Sequence, residues 1–392
     1  MKVWIVNPFD NLPAEGSRPM RYFLMASAFS RAGHDVTYWT ADFSHTAKSE
    51  RRIPDDRPAE CGARIAFRLV HEPPYFSNVS LRRLLAHRRW AKNWRSAAAK
   101  AAPPDLIVVS TPPLAIGREA GRYAAKTGAK VIVDMMDDWP GTFRRVAPGF
   151  ALWPLARLAR RNILSAAAVT VVADRYADLA RSYGFKGETR RFYHGIELPP
   201  TVEPSPSKTT RLVYIGSLGR TYDLRTVVEA LALLPGATLD VAGDGEQAEE
   251  LRSVSDRVRF HGHLADGELR KLLSNCDIGI VPMSRESCVG VPYKLADYSA
   301  AGLAVASSLG GESGRLLARY DAGVAYRAGD PQSLAASIKS IGPRLATLRA
   351  NSRRMAETEF DAAAIYSDYV AFAMSLFSAN HQPQAADHRD EP

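Results

Sequence analysis

Short apolar runs rich in valine and isoleucine alternate with longer stretches of helical spacing along nearly the whole chain. In the first half these runs are VWIVN (3–7), DVTYWT (35–40), DLIVVS (105–110), KVIVDM (130–135) and AVTVVA (168–173). The second half repeats the pattern with RLVYIG (211–216), ATLDVAG (237–243), RVRFHG (257–262), DIGIVPM (277–283) and LAVASS (303–308). Continuous apolar strands separated by amphipathic helices mark parallel sheets covered on both faces. Two such series predict two doubly wound α/β domains.

Between the series lies LPPTVEPSPSKTT (198–210), with four prolines and no apolar periodicity, which reads as an interdomain linker. Large apolar residues recur at helical spacing in EFDAAAIYSDYVAFAMSLF (359–377), whereas the residues after it lack an apolar face. The expected organisation is an N-terminal domain over 1–198, a linker over 199–210, and a C-terminal domain over 211–355. Closing helices over 356–377 pack back toward the N-terminal domain, and 378–392 form a disordered tail.

With 392 residues, 46% apolar and 24% charged, the chain is too long for a small module and too apolar for disorder. The net charge of +9 hides an asymmetry, because residues 1–200 carry 31 basic and 18 acidic side chains while residues 201–392 carry 20 and 24. A basic half suits nucleic acid, an anionic membrane surface or a phosphorylated substrate. The three cysteines, Cys61, Cys276 and Cys288, form no CxxC pair, which disfavours a disulfide framework or structural zinc and fits a reducing cytosol. The first apolar run breaks at Asn7-Pro8, too short for a signal-peptide core, and no later run reaches the ~20 residues of a spanning helix.

In doubly wound sheets ligands bind beyond the carboxyl ends of the strands, so with two domains the expected site is the cleft between them. The loop after the first strand carries Gly16 and leads into a helix near Pro19, where close backbone approach and free N–H groups suit an anion. It contains no GxGxxG and also reads as an ordinary strand-to-helix loop. In the second half, Gly216 and Gly219, the Gly243-Asp244-Gly245 turn, and Gly262-His263 each follow a strand. Any one of these glycines alone reads as a turn.

Taken in order, YIGSLG, VAGDGE, VRFHGHL, ELRKLLSNCDIGIVPM and VPYKLADYSAAGLAVASS resemble the donor-binding half of GT-B glycosyltransferases of family 4. The resemblance is strongest over 211–310. DDWP (137–140) is similar to the Asp-x-Trp-Pro segment of the bacterial surface-polysaccharide branch, and YHGIEL (193–198) to the segment that precedes the interdomain linker. It implies a GT-B fold of two Rossmann-like domains with a C-terminal crossing helix. It further implies a nucleotide-diphosphate sugar on the second domain, a glycan or lipid-linked acceptor on the first, and retaining, metal-independent transfer in polysaccharide or cell-surface glycan synthesis.

Residue by residue, the resemblance implies that the Gly216-Ser217 loop and the Gly243 turn approach the diphosphate. Gly262, His263 and Leu264 would hold the base, Asp297 the ribose, and Val291, Pro292, Tyr293 and Lys294 the diphosphate and sugar. A metal-free departure of the diphosphate needs cations aimed at it, and Arg220 and Lys294 are the candidates. Asp137 is expected in a catalytic role at the acceptor or donor sugar, and Gly16 and Arg21 at the acceptor. Lys294 also reads as a solvated side chain at a helix start, and Asp138 as a helix cap. No metal site or cofactor is expected, the nucleotide sugar being a co-substrate. His34, His45 and His71 lack ligand spacing and read as surface or core residues.

The sequence departs from the family where its first motif glutamate falls at Val289 and its usual arginine and lysine fall at Ser217 and Tyr222. Alternatives from other classes are therefore a nucleotide-sugar epimerase of the same fold and a catalytically silent binding protein. Two basic segments, 81–100 with seven Lys/Arg and 142–164 with five, contain no acid and interleave Trp90, Trp94 and Trp153. They suit an anionic membrane surface on the cytoplasmic side, or simply solvated helix faces. No nucleic-acid-binding signature accompanies them.

Overall fold

The computed structural model describes residues 1–51, 65–77, 80–145, 147–200, 209–219, 221–252 and 255–378. Arg220, Cys61, most of the linker and nearly all of the tail lie outside the described residues. Among the described residues fifteen strands are formed: β1 (Lys2–Val6), β2 (Asp35–Ala41), β3 (Phe43–Ser44), β4 (Ser49–Glu50), β5 (Ile65–Val70), β6 (Leu106–Thr111), β7 (Lys130–Met135), β8 (Ala168–Val171) and β9 (Glu188–Arg191), followed by β10 (Thr210–Ile215), β11 (Ala237–Ala242), β12 (Val258–Gly262), β13 (Ile278–Val281), β14 (Ala304–Ser307) and β15 (Gly323–Ala325). The first sheet has the order β5-β2-β1-β6-β7-β8-β9 and the second β12-β11-β10-β13-β14-β15, while β3 and β4 form a small hairpin. Every pairing in the two large sheets is parallel.

All ten apolar runs became strands. Central strands such as β6 and β13 are buried along their whole length, as strands with helices on both faces must be. The chain order reverses direction beside β1 in the first sheet and beside β10 in the second, which makes a crevice at the carboxyl end of each.

The helix Leu345–Glu359 packs on the second domain, and the helix Ala362–Ser378 returns to the first. Tyr366, Tyr369 and Phe372 of the returning helix are almost fully buried, in one apolar cluster with Tyr22, Phe29 and Phe192. A parallel bridge between Ile196 and Asp361 ties the two crossing segments together. Burying each such aromatic contributes roughly 1.5–3 kcal/mol, enough for this helix to join the domains rather than trail from them.

The basic segment 81–100 differs from its expected role. It forms the helix Leu81–Ala98, but Trp90 and Trp94 have no exposed surface and pack with Trp4 and Trp39 in the core of the first domain. Trp94 lies 6.3 Å from Trp4 and 6.4 Å from Trp39, edge to face. Spacing explains this: positions 90, 94 and 98 form one inward stripe, while Arg82, Arg88 and Arg89 occupy exposed faces. Among the described residues no helix is long and apolar enough to cross a membrane.

Candidate active site

Three loops at the carboxyl ends of β10, β11 and β12 interlock through their glycines. Gly216 N–H donates to the Ala242 carbonyl (2.9 Å), Gly243 N–H to the Gly262 carbonyl (2.7 Å) and Leu218 N–H to the Asp244 carbonyl (2.9 Å). A Cβ on Gly243 would stand 1.9 Å from the Gly216 carbonyl oxygen, and its φ of +141° is one that side-chain-bearing residues avoid. Gly243 thus shapes the loop beside it. Gly216 and Ser217 are exposed, as is His263, while Gly262 and Leu264 are half-buried.

Lys294 meets this clasp from the start of the helix Tyr293–Ala300. A Cβ on Gly216 would lie 3.4 Å from Lys294 Nζ, so the two predicted motifs converge. The ammonium sits 3.8 Å from the centre of the Tyr222 ring and 4.9 Å from that of Tyr214. Only 6% of Lys294 is exposed, and burial pushes its pKa down to about 7 against the opposing pull of Asp297. The helix begins after Val291 and Pro292, with Val291 buried and Pro292 half-buried beside the same cleft.

The first domain reaches over this helix. Arg18 forms a bidentate ion pair with Asp297, Nη1 to Oδ1 and Nη2 to Oδ2, the latter at 3.1 Å. Tyr293 stacks on His194 with centroids 3.7 Å apart, and its hydroxyl accepts from the Arg21 backbone N–H at 3.3 Å. Behind the ion pair lies a 340 Å³ cavity, bordered by Asp266, Leu269, Leu273, Asp297 and Ala300. The loop carrying Val289 also touches the first domain: Tyr176 donates to the Cys288 carbonyl (3.3 Å), and a Cβ on Gly290 would stand 2.4 Å from Ala173 Cβ. Glu312 accepts from Tyr193 Oη and from the Asp174 N–H, both at 2.7 Å.

Residues 209–341 match the family described as Glycosyl transferases group 1, and residues 22–194 match the Glycosyl transferase 4-like domain. The chain is a GT-B glycosyltransferase of family 4. No curated protein sequence matches it. Among solved structures, a sucrose-phosphate synthase from Thermosynechococcus elongatus is similar with a TM-score of 0.76 at 17% identity, over 96% of this chain and 99% of that one. Anabaena HepE in complex with UDP-glucose gives 0.68 at 17% identity, over 96% and 99%. WaaG, a glycosyltransferase involved in lipopolysaccharide biosynthesis, gives 0.64 at 16% identity, over 95% and 99%. At these identities the likeness is one of fold.

In the first domain of the glycosyltransferase, the residues expected at an acceptor separate. Asp137 is half-buried at the end of β7, where its carboxylate accepts from the Asp138 N–H at 2.8 Å and burial raises its pKa. It is close enough to Tyr222 to act on it electrostatically across the cleft. Gly16 is exposed, with a φ of +76° closing a short turn.

Arg21 is different. It is wholly buried, bidentate to Asp134 (2.8 Å for each contact) and bonded to the Phe192 and Tyr193 carbonyls, so no part of it faces an acceptor. Tyr22 and Thr170 complete the partners of Asp134, at 2.7 and 2.6 Å. This network anchors the first helix to the sheet. Arg18, three residues earlier, is the arginine that reaches the cleft. Sequence reasoning passed over it and His194, whose only signals were a position beside Gly16 and one within YHGIEL.

Proposed function

We propose that the enzyme transfers a sugar from a nucleotide-diphosphate donor to a saccharide or lipid-linked acceptor with retention and without a metal. The juxtaposition of Lys294 with the Gly216 loop carries this reading. When the sugar–oxygen bond breaks, negative charge develops on the departing diphosphate, and a preplaced cation in a desolvated cleft stabilises it most. The exposed edge of the clasp at Gly216 and Ser217 would offer backbone to the phosphates, Asp297 a carboxylate to the ribose, and the backbone at Gly262 to Leu264 an edge for the base. Asp137 of the first domain, whose charge is felt at Tyr222, would orient the acceptor hydroxyl or the donor sugar. Arg220 is a second candidate cation.

The HepE complexes hold UDP and UDP-glucose, which makes UDP the first nucleotide to test. Titration calorimetry should show UDP binding that Lys294→Ala and Asp297→Ala weaken. UDP-glucose with a mixed glycan acceptor pool should release UDP, and donor alone should give no epimer. Absence of binding to any nucleoside diphosphate would overturn the reading.

Work at the cytoplasmic face of a membrane, in surface-glycan synthesis, is part of the proposal. Its support is an apolar rim on the first domain, with Leu81, Leu85, Phe150 and Trp153 each more than half exposed. Exposed Arg82, Arg88, Arg89, Arg157 and Arg161 lie on the same two segments, which Leu84 joins by packing beside Trp139, Phe143 and Leu152. Apolar residues entering an interface beneath basic ones suit anionic lipid.

A further inference from the structure

The two basic helices of the first domain begin at the same end of its sheet. Leu81–Ala98 connects β5 to β6 and Trp153–Ile163 connects β7 to β8. Because the strands run parallel, each helix starts beyond their carboxyl ends and runs back along the sheet. Leu84 packs against the cluster that holds Leu152, which sets the two starts side by side. The exposed Leu81, Leu85, Phe150 and Trp153 therefore form one tier. Exposed Arg88, Arg89, Arg157, Arg160 and Arg161 form a second tier, one to two turns behind it.

At one place the second tier is hollow. Trp153, Ala156, Arg157, Arg160, Arg161 and Tyr183 line an open concavity of 480 Å³. Spacings of three, four, seven and eight residues from Trp153 put the helical members on one face, away from the buried Ala159, Asn162 and Ile163. Arg160 is held in place, its Nε donating to the Tyr183 carbonyl at 2.9 Å. The Arg157 guanidinium lies 5.4 Å from the centre of the exposed Trp153 ring. Among the described residues no carboxylate pairs with any of these three arginines, whereas nearby Arg181 pairs with Asp178 and Arg175 with Asp138.

We propose that this concavity is a binding site for the phosphate of an anionic phospholipid headgroup. The assignment rests on the reading of the rim as membrane-facing, and it names what the rim recognises: one headgroup in one place rather than surface charge at large. Three guanidiniums bring fork-shaped donors suited to phosphate oxygens. Crowded in one hollow without an acid they also repel one another, and a bound anion relieves that repulsion. Depth agrees as well. At ~1.5 Å per residue, Arg157 stands ~6 Å and Arg160 and Arg161 ~10–12 Å along the helix from Trp153. Apolar side chains inserted roughly 5–10 Å into the boundary of headgroups and acyl chains leave those arginines at the level of the phosphates. Arg88 and Arg89 stand in the same tier on the neighbouring helix and supply an equal charge for comparison.

The test uses the full-length protein and dihexanoyl phosphatidylglycerol below its micelle concentration, followed by calorimetry. Co-sedimentation with vesicles of phosphatidylglycerol and phosphatidylcholine runs beside it. Wild type should bind one short-chain lipid per chain, at least tenfold tighter than dihexanoyl phosphatidylcholine, glycerol phosphate or inorganic phosphate. Arg157→Gln combined with Arg161→Gln should weaken that binding at least tenfold. Arg88→Gln combined with Arg89→Gln removes the same charge and should leave it within twofold. Trp153→Ser should erase the advantage of the lipid over glycerol phosphate, and thermal unfolding confirms that each variant is folded. Equal losses in the two double variants would mean diffuse surface charge, and equal affinity for lipid and glycerol phosphate would mean a soluble phosphate ligand; either result, or no binding of the short-chain lipid, would overturn the proposal. Wild type that binds the short-chain lipid but pellets with no anionic vesicle removes the membrane reading and leaves the headgroup site standing, and pelleting without short-chain binding does the reverse.

Discussion

Replacing Lys294 by methionine should stabilise the empty enzyme and disable it. The side chain is 6% exposed and its pKa falls from 10.5 to about 7, a displacement equivalent to roughly 5 kcal/mol of preference for the neutral form. Two tyrosine rings return ~1–2 kcal/mol through their contact with the ammonium, leaving a net cost of about 3 kcal/mol to keep a charge there. Methionine fills a similar volume without the charge and should recover most of that cost at pH 7.

The effect has a defined pH dependence. Below about pH 7 both folded and unfolded chains hold the proton and the penalty is complete. As pH rises from there toward 10.5 the unfolded chain retains the proton that the folded one has lost, and wild-type stability climbs toward that of the variant. Chemical denaturation of both proteins at pH 7 and pH 9, beside UDP release from donor, tests the two halves together. Lys294→Met should be more stable by up to about 3 kcal/mol at pH 7 and by less at pH 9, while turnover drops ~10²-fold as expected for loss of one charge-stabilising group. A variant that is less stable at pH 7, or that keeps wild-type turnover, would refute the reasoning.

Three further outcomes follow from the same geometry. Gly243→Ala places a methyl group 1.9 Å from the Gly216 carbonyl at an unfavourable φ, so it should lose more than ~2 kcal/mol on denaturation and bind UDP poorly. The combined change of Leu81, Leu85, Phe150 and Trp153 to serine should abolish co-sedimentation with anionic vesicles and leave the fold intact, because all four are exposed; equal pelleting would remove the membrane reading. Arg18→Ala releases the Asp297 carboxylate for ribose, and a part-exposed pair worth roughly 1 kcal/mol predicts about fivefold tighter UDP binding by calorimetry; weaker binding would mean that Arg18 itself contacts the nucleotide.

The buried strands were legible because burial on both faces leaves a continuous apolar run. The strands that escaped are the two-residue β3 and β4 of the hairpin, β5 and β9 at the edges of the first sheet, and the three-residue β15 at the edge of the second. IAFRLV and ETRR are largely exposed, so partner strands rather than side chains dictate their conformation. The convergence of Gly216 with Lys294 was readable from motif order. The packing of Arg83 among Phe9, Tyr75, His87 and Trp139 was not, since these rings come from separate stretches of the chain and the arginine lies within a run that resembles any solvated basic face.

The departures from the family pattern have a physical reading at one position in particular. The resemblance places a lysine where this chain has Tyr222, which taken alone removes a phosphate-binding cation. In the folded enzyme the Tyr222 ring instead lies 3.8 Å below the Lys294 ammonium, so a cation stands at that place, delivered from the start of another helix. An aromatic platform holds a cation by its ring face without neutralising it, unlike a carboxylate partner, and so leaves its full charge for an incoming anion. Because the platform also desolvates the amine, the empty site holds its proton loosely near neutrality, and diphosphate binding must raise the lysine's proton affinity. Donor affinity should therefore decline as pH rises above about 7, a dependence that an exposed lysine at position 222 would not impose.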